Sequence, residues 1–219
     1  MNKQKTKPKM KKQIITALLL FITLSAIAQT TPEKKVSPVS IFVNAKLGFA
    51  KVSQSNNVDL NGTINGGDVL ASIKLGKAWN LDTGFGMFEF NGNQVIAGNN
   101  TSLTNSYLQI PVRFNGDFSI FDKALERNQK IFLTAGLGLY ANTLLKQELQ
   151  TISGNSSARN LGWNFGFSSQ IGAKFILSDK IGFRFGLESQ ADATKMKKDG
   201  GEQKIKNINA LYFGMEFKF

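Results

Sequence analysis

The chain has 219 residues, enough for one domain of ordinary size, and contains no Cys and no His. Without Cys there is no disulfide, Cys-ligated zinc, thiol nucleophile or lipoprotein acylation site; without His the commonest general base and metal ligand is missing. The formal charge is +12, but Lys3, Lys5, Lys7, Lys9, Lys11 and Lys12 supply six of those charges within an acid-free start, and the remainder of the chain carries +6. The basic cluster stands where a targeting signal would, and no nucleic-acid module follows, so nucleic acid is not an expected partner.

In chain order, Met1 to Gln13 is basic and Ile14 to Ala28 is apolar, ending in the small-x-small pattern Ala26-Ile27-Ala28. This predicts a secretory signal peptide over residues 1–28, cut after Ala28. The apolar run of about 15 residues is short of the ~20 that span a bilayer as a helix. Residues 29–38 read as a polar periplasmic linker, and residues 39–219 as a barrel.

From Ile41 onward the chain alternates apolar and polar positions, the mark of β-strands. Ile41 to Ala50, Val69 to Gly76, Leu81 to Phe88, Tyr107 to Phe114 and Leu133 to Tyr140 give five strands. Leu161 to Ala191 gives two more around the break Ser178-Asp179-Lys180, and Leu211 to Phe219 gives the eighth. Loops are predicted over Ser53 to Gly67, Asn91 to Asn105, Asn142 to Asn160 and Asp192 to Lys204. A connection over Asn115 to Lys130 is expected to hold a short helix near Asp122 to Arg127.

An even strand number with alternating long and short connections, the one after the fourth strand excepted, predicts an all-β, eight-stranded, antiparallel, up-and-down transmembrane barrel. The placement of glycine decides which face is inside. Gly48, Gly76, Gly84, Gly86, Gly136, Gly138, Gly162, Gly166, Gly172, Gly182, Gly186 and Gly214 share the polar face. In water they would weaken the strands. In a narrow lumen they make room for Tyr107, Tyr140, Tyr212, Arg113 and Arg184. The non-membrane alternative is a soluble periplasmic ligand-binding barrel with the apolar face inward. Gly84-x-Gly86 and Gly136-x-Gly138 precede no helical pattern, so neither reads as a phosphate loop. Trp79 and Trp163 are candidate interfacial belt residues.

Ser106 to Phe114, reading SYLQIPVRF, resembles the proline-bearing fourth strand of the PorT-like family of small bacterial outer-membrane barrels. The ending Gly214 to Phe219 resembles the aromatic-ended insertion signal of such barrels, which implies recognition of Phe217 and Phe219 by the barrel-assembly machinery. The resemblance spans Val36 to Phe219. Family members share no single activity; the namesake takes part in assembly of a secretion system.

By alternation Lys46, Lys74, Arg113, Lys174, Arg184 and Lys218 point inward with Asp82, Glu188 and Glu216, an excess of cations. Charges withdrawn from water need partners, and the expected couples are Asp82 with Arg113 and Arg184 with Glu216. No catalytic, cofactor or metal residues stand out. The expected role is a non-enzymatic envelope protein in contact with outer-membrane lipid and an unidentified envelope partner; an outer-membrane lipid-modifying enzyme is the alternative. Phe118, Ile120 and Phe121 are the candidate partner segment, with a plug or cap over the barrel end as the alternative.

Overall fold

In a computed structural model of the chain, the described residues are 39–54, 59–96, 99–120, 130–151, 154–159, 162–198 and 201–219. The predicted signal peptide, the linker, Phe121 and the short helix predicted near Asp122 to Arg127 lie outside the described residues.

Ten strands form in chain order: β1 (Val39–Gln54), β2 (Asp59–Lys74), β3 (Trp79–Ile96), β4 (Asn99–Ser119), β5 (Lys130–Thr151), β6 (Gly154–Arg159), β7 (Trp163–Ile176), β8 (Ile181–Asp192), β9 (Met196–Lys198) and β10 (Gly201–Lys218). Eight of them close a ring in the order β1-β2-β3-β4-β5-β7-β8-β10, and β10 returns to pair with β1. Every pairing in the ring is antiparallel. β6 and β9 are additions that pair with β5 and β10 beyond the ring. Closure leaves no sheet edge, the condition for a β-structure to cross lipid.

The faces follow the alternation. In β7, Trp163, Phe165, Phe167 and Ile171 point out and are exposed, while Asn164, Gly166, Ser168 and Gln170 point in and are buried. Phe49 is 73% exposed and Leu137 71%. A continuous exposed apolar wall of this kind is what lipid covers. The outward apolar run goes from Val39 to Phe49 in β1 and from Trp79 to Met87 in β3, the length of about 9–11 residues that a tilted strand needs to cross. Trp79 closes one end of the wall, stacked on Phe114 at 4.9 Å with Phe118 edge-on at 5.7 Å. Trp163 stands half-exposed at the other end.

The strands are much longer than predicted. The β1–β2 hairpin stays paired out to Ser53 and Asp59, and the β3–β4 hairpin out to Ile96 and Asn99. The segments predicted as loops are therefore largely sheet. Beyond the lipid-covered wall the outer face meets water, so Asn61, Thr63, Asn65, Glu89 and Asn91 occupy outward positions there. The period-two contrast fades while the pairing continues. The connection after β4 shrinks for the same reason, since β4 runs to Ser119 and β5 starts at Lys130.

Pro111 is accommodated within β4. It cannot donate to a ladder, and the β3–β4 register passes from Thr83–Val112 directly to Gly86–Gln109. The Thr83 hydroxyl donates to the Pro111 carbonyl at 3.0 Å, tying the skipped step together.

Candidate functional site

The lumen collects every inward side chain of the ring, and β4 and β8 are its two main ladders. From the end where β1 begins and β10 finishes, β4 presents Asp117, Asn115, Arg113 and Gln109, and β8 presents Arg184, Glu188, Gln190 and Asp192. These strands are not neighbours in the ring. Even so, Arg113 Nη2 lies 2.7 Å from Glu188 Oε1, and Gln109 Nε2 donates to Gln190 Oε1 at 2.8 Å. Side chains from separate parts of the wall meet, so the lumen is crossed rather than open. A cavity beside them, lined by Lys46, Gly86, Gln109, Glu188 and Gln190 among others, measures about 10 Å³, room for at most about one water. A larger concavity of about 810 Å³ lies against Trp79, Phe114, Leu137, Ile171 and Leu187. Those side chains belong to the outer, lipid-covered wall.

All four residues expected in lumen ion pairs are inside and paired: Asp82 is 1% exposed, Arg113 2%, Arg184 3% and Glu216 3%. Their partners differ from the expected ones. Arg184 Nη1 lies 2.9 Å from Asp82 Oδ2, not on Glu216. Arg113 holds Glu188 and, at 3.4 Å, Asp68, not Asp82. Glu216 accepts from the Ser40 hydroxyl at 3.0 Å and lies 3.3 Å from Lys174 Nζ. The expected couples were drawn between neighbouring strands, and Asp82 and Arg113 are indeed register partners. In a ring this narrow, however, a long side chain spans the lumen as readily as it reaches sideways. The Arg184 guanidinium also stands 3.9 Å above the ring of Phe42, a buried aromatic the sequence reading did not place in the lumen. That contact favours the cation further.

Two anions of the ion-pair network were missed. Asp68 lies 2.6 Å from Lys46 Nζ, and Asp117 lies 2.8 Å from Lys174 Nζ. Asp68 borders the predicted loop ending at Gly67, and Asp117 fell in the predicted connection. With both included, Lys46, Arg113, Lys174, Arg184 and Lys218 face Asp68, Asp82, Asp117, Glu188 and Glu216. The expected cation excess disappears inside the network; Lys74 is exposed.

Above this charged layer, toward the hairpin ends, an apolar cluster fills much of the lumen, with Asn105 and Gln203 donating to the Tyr107 hydroxyl within it. Leu60, Ile64, Phe90, Leu103, Leu144 and Ile205 are almost fully buried in one cluster, and Phe88 stacks on Tyr107 at 4.8 Å. Asp192 sits at the junction, accepting from Tyr140 Oη at 2.9 Å and from the Ile205 amide at 2.6 Å. Sequence reasoning missed this layer because Leu60, Ile64 and Leu103 lay in predicted loops. The available signal was their apolar character amid Asn and Gly.

The family model of the outer membrane protein beta-barrel domain matches residues 14–219. The chain belongs to that family. Members of this outer-membrane barrel family reside in the bacterial outer membrane, and the apolar wall agrees with that setting. Among solved structures, the barrel is similar to Neisserial surface protein A, with 15% identity, 85% of this chain and 100% of that chain covered, and a TM-score of 0.46. It is also similar to the attachment invasion locus protein Ail of Yersinia pestis, with 11% identity, 83% and 99% covered, and a TM-score of 0.41. The outer membrane protease OmpT of Escherichia coli matches at 10% identity, 87% and 100% covered, with a TM-score of 0.30. No curated protein matches the chain.

The lumen glycines of this family member are places of close approach. A Cβ on Gly172 would stand 2.5 Å from Tyr212 Oη, and one on Gly138 would stand 2.7 Å from Arg113 Cγ. A Cβ on Gly166 would strike the Tyr140 ring. Gly76 and Gly162 do not share this role: Gly76 has open space around it, and Gly162 takes a φ of +89° that favours glycine. Phe217 lies half-buried on the outer wall and Phe219 is 79% exposed at the chain end. Phe118 packs on Trp79 in the outer aromatic cluster, so it belongs to the wall rather than to a periplasmic connection. Ile120 is exposed where β4 ends.

Proposed function

We propose that this protein is a non-enzymatic outer-membrane barrel with a structural or interaction role, whose wall anchors long hairpins that project beyond the lipid. The supporting observation is the direct contact of Arg113 with Glu188 and of Gln109 with Gln190 across the ring. A lumen bridged in this way has no path for solutes and no room for a substrate. The lumen carboxylates Asp68, Asp82, Glu188 and Glu216 are each held by a lumen cation, an arrangement that favours their ionised form over the uptake of a reacting proton. In this reading the basic and apolar start of the chain is a signal peptide cut after Ala28, and the termini end faces the periplasm. Phe217 and Phe219 guide insertion by the barrel-assembly machinery, and the hairpin ends meet an envelope partner. A part in assembling an envelope or secretion complex, as the PorT-like resemblance implies, fits a barrel that offers surfaces instead of a site.

Cell fractionation tests the reading. The protein is expected in outer membranes and to resist alkaline and urea extraction, and its mature form is expected to start at Gln29. Recovery from the soluble periplasm would overturn it. So would turnover of lipopolysaccharide or peptides by the purified barrel that is lost on mutating one lumen carboxylate.

A further inference from the structure

The outer face of β1 and β10 changes character over a few residues. Leu47 and Leu211 are register partners on the apolar wall, each more than half exposed. One outward step further, Phe49, 73% exposed, stands opposite the exposed amide of Asn209. Beyond that the β1–β10 register shifts at Lys51/Val52, leaving Lys206 without a register partner on β1. A bulge re-aims side chains, and here Lys206 and Asn207 are both exposed beside Lys51. Lys204 follows, outward between the buried Gln203 and Ile205. Lys197 of the adjoining β9 and Lys195 just before it add two more.

The anions on this surface do not balance it. Asp59 lies 3.0 Å from Lys51, and Glu202 is shared between Lys195 and Lys197. Five lysines thus stand against two carboxylates, a surplus of three, and Lys204 and Lys206 make no ion pair among the described residues. The surplus sits at the edge of the lipid-covered wall, where a headgroup lies, and the exposed apolar side chains continue below it, where acyl chains lie. A cationic patch at a membrane boundary draws anionic headgroups, and an ammonium binds phosphate as a point charge.

We propose that this surface binds a phosphate-bearing glycolipid of the outer leaflet. Its phosphates lie on Lys51, Lys204 and Lys206, the amides of Asn207 and Asn209 meet its sugars, and its acyl chains lie on Phe49, Leu47 and Leu211. The proposal rests on the reading that the hairpin ends face outward from the outer membrane. Charge complementarity selects the phosphorylated glycolipid, and the position of the patch beyond the hairpin end of the wall selects the outer leaflet.

The test titrates the full-length barrel, folded in a neutral detergent, with purified lipopolysaccharide. Binding is expected to weaken at least tenfold in the Lys51→Gln, Lys204→Gln, Lys206→Gln variant, and as much when the lipopolysaccharide is dephosphorylated. Lys206→Gln alone is expected to weaken it at least threefold, which keeps the test usable if the triple variant does not fold. Lys77→Gln with Lys180→Gln, at the opposite end of the barrel, is expected to bind as the wild type does. Wild-type binding by the lysine variants, or equal binding of dephosphorylated glycolipid or of phosphatidylglycerol, would overturn the proposal. A barrel found in outer membranes without phosphate dependence sinks this proposal alone, whereas recovery in the soluble periplasm sinks the membrane reading beneath it.

Discussion

Arg184→Met is the sharpest probe of the lumen. The guanidinium lies 2.9 Å from Asp82 Oδ2 and 3.9 Å from the centre of the Phe42 ring, with side-chain exposures of 3% for Arg184 and 1% for Asp82. At that separation the gross attraction is about 6 kcal/mol for an effective dielectric constant near 20. Desolvation of the two ions offsets most of it, so the pair adds little net stability while removal of one partner costs about 3–5 kcal/mol. Methionine keeps an unbranched apolar stem but removes the guanidinium, so the loss includes its contact with the Phe42 ring. Adding Asp82→Leu should recover much of the loss. It should fall short of full recovery, because Asn115 Nδ2 donates to Asp82 Oδ2 at 2.7 Å and would be left unpaired, a cost of about 1–3 kcal/mol. The assay is urea unfolding of the barrel in phospholipid vesicles, followed by the fluorescence of Trp79 and Trp163, with the gel-mobility shift as a second readout. A double-mutant cycle should give a coupling of about 1–3 kcal/mol for Arg184 with Asp82 and less than about 0.5 kcal/mol for Arg184 with Glu216. The reverse order, or no coupling in either cycle, would refute the partner assignment.

Three further outcomes follow from the same geometry. Gly172→Ala should destabilise the barrel by about 1–3 kcal/mol, because its Cβ meets Tyr212 and the Phe185 backbone, whereas Gly76→Ala, in open space, should stay within about 0.5 kcal/mol in the same unfolding assay. Leu187→Arg, on the outer wall at 57% exposure, should cost about 2–4 kcal/mol if it lies near the midplane; a neutral result would mean that lipid does not cover this face. Planar-bilayer recordings of the wild type should show no steady conductance, and an ohmic pore would contradict the bridged lumen.

The barrel was legible in the sequence wherever one face of a strand meets lipid and the other meets the lumen. Trp163 to Phe175 and Ile181 to Leu187 show that contrast at nearly every step, the outward Ser169 being the exception, and there the predicted faces match the structure. Legibility ended where lipid ends. At Asn61, Thr63 and Asn65 the outer face is polar while Leu60 and Ile64 still point inward and are buried. Half of the pattern survives, but it reads as loop because Asn and Gly surround it. The inward direction of Asp82, Arg113, Arg184 and Glu216 was likewise legible, since it depends only on parity along each strand. Their partners were not, because pairing across a lumen depends on which side chains share a height after the strands have tilted. Gln190 shows the same limit. Alternation puts it on the polar face of its strand, while the structure holds it between Gln109 and Glu188.

The order of the two lumen layers bears on how the barrel stays shut. The charged layer occupies the part of the lumen near the C-terminal end of β10, and the apolar cluster occupies the part near the hairpins. An apolar layer alone would repack readily, because its contacts have no preferred partner. A charged layer alone would admit water to any polar atom left without a bond. Stacked, each limits the other. The cluster around Phe88, Phe90 and Tyr107 keeps solvent from the Lys46, Asp68, Arg113 and Glu188 group. That group in turn fixes β4 against β8, which sets the height at which the apolar side chains meet. Loosening the apolar layer, as Phe90→Ala would, should therefore raise the rate at which the buried ion pairs open, beyond the 3–5 kcal/mol expected for the lost packing itself. Hydrogen exchange of the backbone amides of β4 and β8 near Arg113 and Glu188 is the readout. Exchange confined to the residues around Phe90 would show that the layers act independently.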